Sequence, residues 1–201
     1  MFNSEFRIVV LATANTSKRW EMEALLAPLG LSLRLPSEWD APFAPEENGD
    51  TFLDNARIKA RAALALTGLP ALADDSGLMV DALGGAPGVH SARFGGQGLS
   101  SEDRNTLLLR KMENEDHRAA RFVCVLVCLF PDGREIIAEG ICEGEILRES
   151  RGMGGFGYDP VFFVPELGRS MAELPGEEKN RISHRGKAAE RLIKQWGINS
   201  R

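Results

Sequence analysis

One acidic segment at the end of an apolar run constrains this chain most. In Ala71-Leu-Ala-Asp-Asp-Ser-Gly-Leu78 the apolar residues stop at adjacent carboxylates, and such a run, bounded by turn residues, predicts a buried strand. A strand that ends there places acids at the rim of a core, where ligands bind in α/β folds. Neighbouring anions repel unless a cation holds them, and Mg²⁺ prefers carboxylate oxygens. The same residues also suit a polar turn with a helix cap.

Length and charge narrow the class of protein. The 201 residues fit one domain, 1–201, of generous size or two lobes around one sheet, and 43% of them are hydrophobic. A net charge of −5 argues against binding a nucleic-acid polymer, which needs clustered cations. The apolar run Phe122–Phe130 is too short to cross a membrane, and no targeting signal opens the chain, so we expect a cytoplasmic protein. Cys124, Cys128 and Cys142 lack paired spacing and are expected in the core.

Strands and helices alternate along the chain. The patterns predict strands at Arg7–Ala12, Leu31–Leu35, Leu69–Ala73, Arg121–Phe130, Glu135–Glu145 and Val161–Val164, and helices at Trp20–Ala27, Thr51–Thr67, Ser101–Glu113 and Ser183–Trp196, with Leu78–Leu83 as either. Pro131-Asp-Gly133 is typical of a hairpin turn. This order predicts an α/β fold in which helices flank a mixed central sheet.

The polar loop after the first strand has the chemistry of a phosphate cradle. Its residues are Thr13, Ala14, Asn15, Thr16, Ser17 and Lys18. At a strand-to-helix junction, unpaired backbone N–H groups and the helix dipole favour an anion. Simple helix capping explains the same residues. Further along, Glu46 or Glu47 is a candidate to meet Asp75 around a metal, and the sequence does not choose between them.

Two later segments add candidates for ligand contact. The glycine-dense loop Gly152–Gly157 contains Phe156, and an aromatic ring there either stacks on a nucleobase or plugs the loop into the core. Lys179, His184 and Arg185 lie at the predicted start of the last helix, where positive charge is unfavourable unless an anion arrives. That mismatch favours a ligand.

Together these segments resemble the inosine triphosphate pyrophosphatase family. The resemblance runs from Leu11 to about Ala188, and the joint order of its motifs is highly specific. The motifs are Ala12-Thr-x-Asn-x-x-Lys18, Glu46-Glu-x-Gly-x-Thr-Phe-x-x-Asn-Ala56, Ala73-Asp-Asp-Ser-Gly-Leu78, Pro87-Gly-Val-x-Ser-Ala-Arg93, Gly154-Gly-Phe-Gly-Tyr-Asp-Pro160 and Lys179-x-x-Ile-Ser-His-Arg185. Ala14 stands where glycine is frequent in relatives.

The resemblance implies a Mg²⁺-dependent enzyme, a homodimer with two lobes and a nucleotide cleft between them. It would hydrolyse non-standard purine nucleoside triphosphates such as ITP, dITP and XTP to the monophosphate and pyrophosphate. The implied catalytic base and metal ligand is Asp75, with Glu46 (or Glu47) near the metal. The implied substrate contacts are Thr13, Ala14, Asn15, Thr16, Ser17, Lys18, Ser76, Phe156, Gly157, Tyr158, Asp159, Lys179, His184 and Arg185.

Base choice follows from hydrogen bonding. Inosine and xanthosine carry a 6-oxo acceptor where adenine carries an amino donor, so donors from His184 and Arg185, or from nearby backbone N–H groups, would discriminate against adenine. Asp74, facing away from Asp75 in an extended segment, is expected to hold structure. The alternatives are a pyrophosphatase for modified pyrimidine or other nucleotides, and a nucleotide sensor without turnover.

Overall fold

A mixed seven-stranded sheet organises the chain. The computed structural model describes residues 7–13 and 16–196. The strands are β1 (Ile8–Leu11), β2 (Ser32–Arg34), β3 (Ala71–Val80), β4 (Ala119–Leu129), β5 (Glu135–Ile146), β6 (Phe162–Val164) and β7 (Arg169–Ser170). The helices are α1 (Thr16–Leu26), α2 (Phe52–Thr67), α3 (Ser101–Lys111), α4 (Gly176–Ile182) and α5 (His184–Gln195). The strand order in the sheet is β2-β1-β3-β4-β5-β6-β7.

The two ends of the sheet differ in strand direction. β1 runs parallel to both β2 and β3, with Val10 opposite Arg34 on one side and Ala71 on the other. β6 runs antiparallel to both β5 and β7, with Phe163 opposite Glu145 and Ser170. Parallel pairs need crossover connections and antiparallel pairs accept short turns. The predicted mixed α/β fold is therefore confirmed.

The acidic segment lies inside a strand rather than at its end. β3 continues from Ala71 through Asp74 and Asp75 to Val80, and a short 3₁₀ turn, Asp81–Leu83, follows it. The prediction that the strand stops at the carboxylates is wrong. The turn propensity of these residues does not decide the local structure, because cations distant in sequence neutralise both acids, as described below. Asp74 and Asp75 therefore adopt the extended backbone of β3.

The ends of α2 were predicted correctly from local sequence signals, whereas the start of α1 was not. α2 starts after Thr51, whose side-chain oxygen accepts a hydrogen bond from the Asp54 N–H at 3.1 Å, and it ends at Gly68 with a φ of 66°. This confirms the predicted helix, since glycine adopts a left-handed φ without strain. α1 begins at Thr16, before the predicted Trp20.

Two elements were not predicted. α4 opens on Gly176 and contains few apolar residues, so it lacks the helical apolar period that reveals most helices. β7 is only 2 residues long.

The chain folds into two compact units. Among the described residues, unit 1 comprises the part of the chain up to Asp75, Cys124–Gly140 and the part from Arg185 onwards, and unit 2 comprises Ser76–Val123 and Ile141–His184. Each unit has its own cluster of buried apolar residues. The three cysteines are free and buried, as predicted. None of the helices in the described part of the chain has the length and apolar character needed to cross a bilayer.

Candidate active site

In unit 1, a buried lysine joins two carboxylates. Lys59 on α2 donates from Nζ to Asp75 Oδ1 at 2.7 Å and to Glu47 Oε2 at 3.0 Å. Lys59 and Asp75 are both buried, whereas Glu47 is half-buried and Glu46 is exposed. Of the two glutamates, Glu47 is thus linked to Asp75 through Lys59. Ser76 follows Asp75 in β3 and is half-buried.

Asp74 contacts a different pair of cations. Lys18 Nζ lies 3.0 Å from Asp74 Oδ2, and Arg185 Nη2 lies 3.4 Å from the same atom. Arg185 Nη1 also donates to Glu21 Oε2 at 2.6 Å. Different partners for Asp74 and Asp75 agree with the alternation of side chains along a strand. Asp74 thus forms ion pairs inside unit 1, which agrees with the structural role expected from the sequence.

These contacts set the protonation states of the cluster. Burial alone would raise the pKa of Asp74, but Lys18 and Arg185 outweigh it and hold that pKa well below its ordinary value. Burial alone would lower the pKa of Lys59, but Asp74 and Asp75 outweigh burial and raise it. For Asp75 the net direction is upward: burial and the neighbouring charge of Asp74 together raise its pKa against the opposing effect of Lys59.

One oxygen of Asp75 is a candidate for binding a cation. Within residues 7–13 and 16–196, Asp75 Oδ2 is buried and has no hydrogen-bond partner. A buried carboxylate oxygen without a donor fits a hard cation such as Mg²⁺. The same residues contain no group of three or more His, Cys, Asp or Glu side chains arranged to hold a metal.

Lys59 is the residue at this site that sequence reasoning missed. A signal was present, because α2 buries the stripe Phe52, Ala56, Ala60 and Ala63, and Lys59 lies on that same buried face. A lysine at a core-facing position of an amphipathic helix is almost never fully buried without a partner. Its position therefore indicates a buried carboxylate elsewhere in the chain.

In unit 2, the aromatic ring of the glycine loop is held by an ion pair. Asp159 Oδ2 accepts from the Phe156 N–H at 2.8 Å and from Lys179 Nζ at 2.7 Å. Lys179 Nζ also lies 4.8 Å from the centroid of the Phe156 ring, which is a cation–π contact. Lys179 and Asp159 are buried, while Phe156 remains 38% exposed. The ring is therefore partly exposed and backed by a buried ion pair.

Its neighbours are also fixed. The Tyr158 hydroxyl donates to the Ser91 carbonyl at 2.8 Å, and burial raises the pKa of Tyr158 to about 12. Gly157 has a φ of 64°, a conformation that favours glycine. The buried His184 ring stacks on Phe122 with centroids 4.8 Å apart. The structure thus gathers Phe156, Tyr158, Asp159 and Lys179 into one part of unit 2.

The structure describes only part of the predicted phosphate cradle, residues 13–18. Thr13 follows β1 and is half-buried, and Lys18 lies on α1. Ala14 and Asn15 lie outside the described residues, and so do the side chains of Thr16 and Ser17.

The cations near the last helix already have anions within the protein. Arg185 is neutralised by Asp74 and Glu21, and Lys179 belongs to α4 and is neutralised by Asp159. The inference that their charge requires a ligand therefore needs correction, because the protein's own carboxylates supply the anions.

Comparison with models of protein families identifies the family of this chain. The model of the Ham1 family matches residues 9–195. The chain belongs to the Ham1 family. Among curated Ham1 relatives, the dITP/XTP pyrophosphatase of Thermus thermophilus is 53% identical over 190 residues, covering 94% of this chain and 91% of that protein. The dITP/XTP pyrophosphatase of Desulforamulus reducens is 52% identical over 187 residues, covering 92% and 93%.

Solved structures agree with this assignment. A HAM1 protein from Coxiella burnetii superposes with a TM-score of 0.88 at 45% identity, covering 94% of this chain and 98% of that one. A nucleoside-triphosphatase / dITP/XTP pyrophosphatase from Mycobacterium abscessus superposes with a TM-score of 0.77 at 38% identity, covering 94% and 98%. The fold described above is therefore that of solved Ham1 structures.

Proposed function

We propose that this chain hydrolyses non-standard purine nucleoside triphosphates, ITP, dITP and XTP, to the monophosphate and pyrophosphate. The reaction would remove these nucleotides from the cellular pool. Membership of the Ham1 family supports the proposal, as do the names of relatives about half identical to this chain. The contacts of Asp75 independently support the hydrolytic part of the proposal.

The observation that carries the proposal is the set of contacts made by the two oxygens of the Asp75 carboxylate. Its Oδ1 is fixed by Lys59 at 2.7 Å, and its buried Oδ2 has no hydrogen-bond partner among the described residues. Burial raises the pKa of Asp75, which makes the carboxylate a stronger base than an exposed aspartate. Asp75 is therefore suited to accept a proton from the water that attacks the α-phosphorus.

The polyphosphate needs positive charge more than covalent assistance. Bound Mg²⁺ would neutralise phosphate charge, with Asp75 and Glu46 or Glu47 as its protein ligands. The ion pair that Glu47 makes with Lys59 favours Glu47 over the exposed Glu46 as the second protein ligand. Lys18 and the segment from Thr13 to Ser17 would bind the phosphates, with Ser76 as a further contact.

Base recognition would rest on Phe156 and the residues around it. The exposed part of its ring offers a surface on which a purine can stack. Gly157, Tyr158, Asp159 and Lys179 shape this surface, and a donor from His184 would meet the 6-oxo acceptor. Arg185, whose Nη1 and Nη2 are held by Glu21 and Asp74, would have to give up one of these partners to donate there as well. Adenine would leave such donors unpaired, which is a strong source of discrimination.

A nucleotide panel tests the proposal. Purified protein with Mg²⁺ is assayed for pyrophosphate release from ITP, dITP, XTP, GTP, ATP and a pyrimidine triphosphate. We expect rapid release from the first three and turnover of ATP lower by about 10⁴-fold. Comparable turnover of ATP and ITP would overturn the base selectivity. Binding of ITP without cleavage would favour a sensor.

The role of Asp75 is tested by Asp75→Asn, which keeps the shape and removes the base. We expect kcat for ITP to fall by at least ~10²-fold while the nucleotide still binds. Asp132→Asn, at an exposed turn of unit 1, is the matched control and should retain full activity. Full activity of Asp75→Asn would exclude this residue as the base.

We further propose a cytoplasmic homodimer, on the strength of the family resemblance. The chain mass is 22.0 kDa, so sedimentation equilibrium should give twice that value. A monomer mass at micromolar concentration would contradict the proposal.

A further inference from the structure

The glycine loop of unit 2, residues 152–157, is fastened on both sides of Phe156. On one side Asp159 Oδ2 accepts the Phe156 N–H at 2.8 Å. On the other side Asn105 Nδ2 on α3 donates to the Gly157 carbonyl at 3.0 Å. Because the Phe156 N–H and the Gly157 carbonyl are both hydrogen-bonded, the direction in which the Phe156 ring can point is restricted.

Asn105 is an unusual residue for its position. Its side chain is buried, with 6% of the residue exposed, on a helix whose other buried residue, Leu108, is apolar. A buried amide costs free energy unless it is hydrogen-bonded. Within the described part of the chain, Asn105 Oδ1 has no partner. The amide therefore makes only part of its possible hydrogen bonds, and a small apolar side chain would be the less costly occupant.

The bond that Asn105 does make is not local. Gly157 is 52 residues further along the chain, and the N-terminal cap of α3 is Ser100, so Asn105 has no capping role. Its donor reaches the loop beside the exposed aromatic ring. This contact gives a physical reason for a buried asparagine here.

We propose that Asn105 is a positioning residue for the base-stacking ring of Phe156. By holding the Gly157 carbonyl it keeps the Phe156 backbone in the orientation from which the ring can stack on a purine. The inference rests on the proposed function, in which Phe156 receives the base. Asp159 and Lys179 support the ring from the other side.

The test measures binding of two ligands that need no turnover. Inosine monophosphate carries the base, and inorganic pyrophosphate does not. For Asn105→Ala we expect a roughly tenfold weaker Kd for inosine monophosphate, because loss of base–aromatic stacking typically weakens binding by that order. The Kd for pyrophosphate should stay within about twofold of wild type. Equal loss for both ligands, or loss for neither, would overturn the inference.

Matched variants separate positioning from general damage to unit 2. Leu108→Ala removes a buried side chain from the same helix and should lower the melting temperature without changing the Kd ratio of the two ligands. Phe156→Ala combined with Asn105→Ala should bind inosine monophosphate no more weakly than Phe156→Ala alone, because a positioning residue acts through the ring. Multiplied effects in the double variant would contradict the inference.

The positioning role of Asn105 and the proposed function can fail separately. Should Asn105→Ala fail to fold, Asn105→Asp keeps the shape, replaces the donor with an oxygen and is expected to show the same selective loss. Should the wild type bind inosine monophosphate but release no pyrophosphate from ITP, the proposed function fails. The positioning role of Asn105 would still be decided by the two dissociation constants.

Discussion

At the scale of single residues, the two adjacent acids of β3 each contact their own cations. Asp75 is bound by Lys59, and Asp74 is bound by Lys18 and Arg185. Charges fixed in advance in a buried site need little reorganisation during a reaction. The cost is that removal of any one partner leaves an uncompensated buried charge.

The first prediction concerns Lys59. Lys59→Met removes the donor that orients Asp75 while roughly keeping the side-chain volume. We expect kcat for ITP to fall on the order of 100-fold, since a small misplacement of a catalytic group has effects of this size. Steady-state kinetics measures it, and Lys194→Met, which breaks an exposed ion pair, should behave as wild type. Wild-type kcat in Lys59→Met would contradict an orienting role.

The second prediction concerns pH and Asp74. Because the pKa of Asp74 is held below its unfolded value, the carboxylate stabilises the fold fully above about pH 4, and this contribution is lost as pH falls further. Asp74→Asn should lower the unfolding free energy at pH 7 by about 3 kcal/mol or more. The difference from wild type should shrink between about pH 4 and pH 3.

Urea unfolding at several pH values measures this difference. Asp116→Asn, at a fully exposed side chain, should run parallel to wild type across the range. A difference between wild type and Asp74→Asn that stays constant down to pH 3 would show that the ionised carboxylate is not the stabilising species.

At the scale of elements, local signals predicted what local contacts determine. The hairpin β4–β5 turns at Gly133, with a φ of 86°, where the pattern placed it. The path of β3 was not predictable in this way. Its acids meet cations that are 56, 16 and 111 residues distant in sequence, so no local window contains the reason for the extended backbone. The site motifs could be identified, whereas the pairing of Lys59 with Asp75 required the fold.

The third prediction concerns the start of α3. Ser100 Oγ accepts the Asp103 N–H at 3.0 Å, and Asp103 Oδ2 accepts the Ser100 N–H at 3.2 Å. Ser100→Ala should lower the unfolding free energy by about 1 kcal/mol, because the cap is lost. Ser101→Ala, one residue inside the helix, should change it by less than about 0.5 kcal/mol. Equal effects of the two variants in urea unfolding would argue against the cap.

At the scale of the whole molecule, the chain builds two cores from segments that are far apart in sequence. Among the described residues, unit 1 combines an N-terminal, a central and a C-terminal segment, and unit 2 is formed from the two segments between them. Composition and periodicity predicted the mixed α/β class, but they carry no information on which distant segments share a core. That partition depends on long-range packing.

In the proposed reaction, water activated by Asp75 attacks the α-phosphorus, and isotope labelling tests this central claim most directly. ITP is hydrolysed by the wild-type protein with Mg²⁺ in water enriched in ¹⁸O, and the products are examined by phosphorus NMR or mass spectrometry. We predict one ¹⁸O atom in inosine monophosphate and none in pyrophosphate. Label in pyrophosphate, or release of inosine diphosphate and phosphate, would contradict the claim.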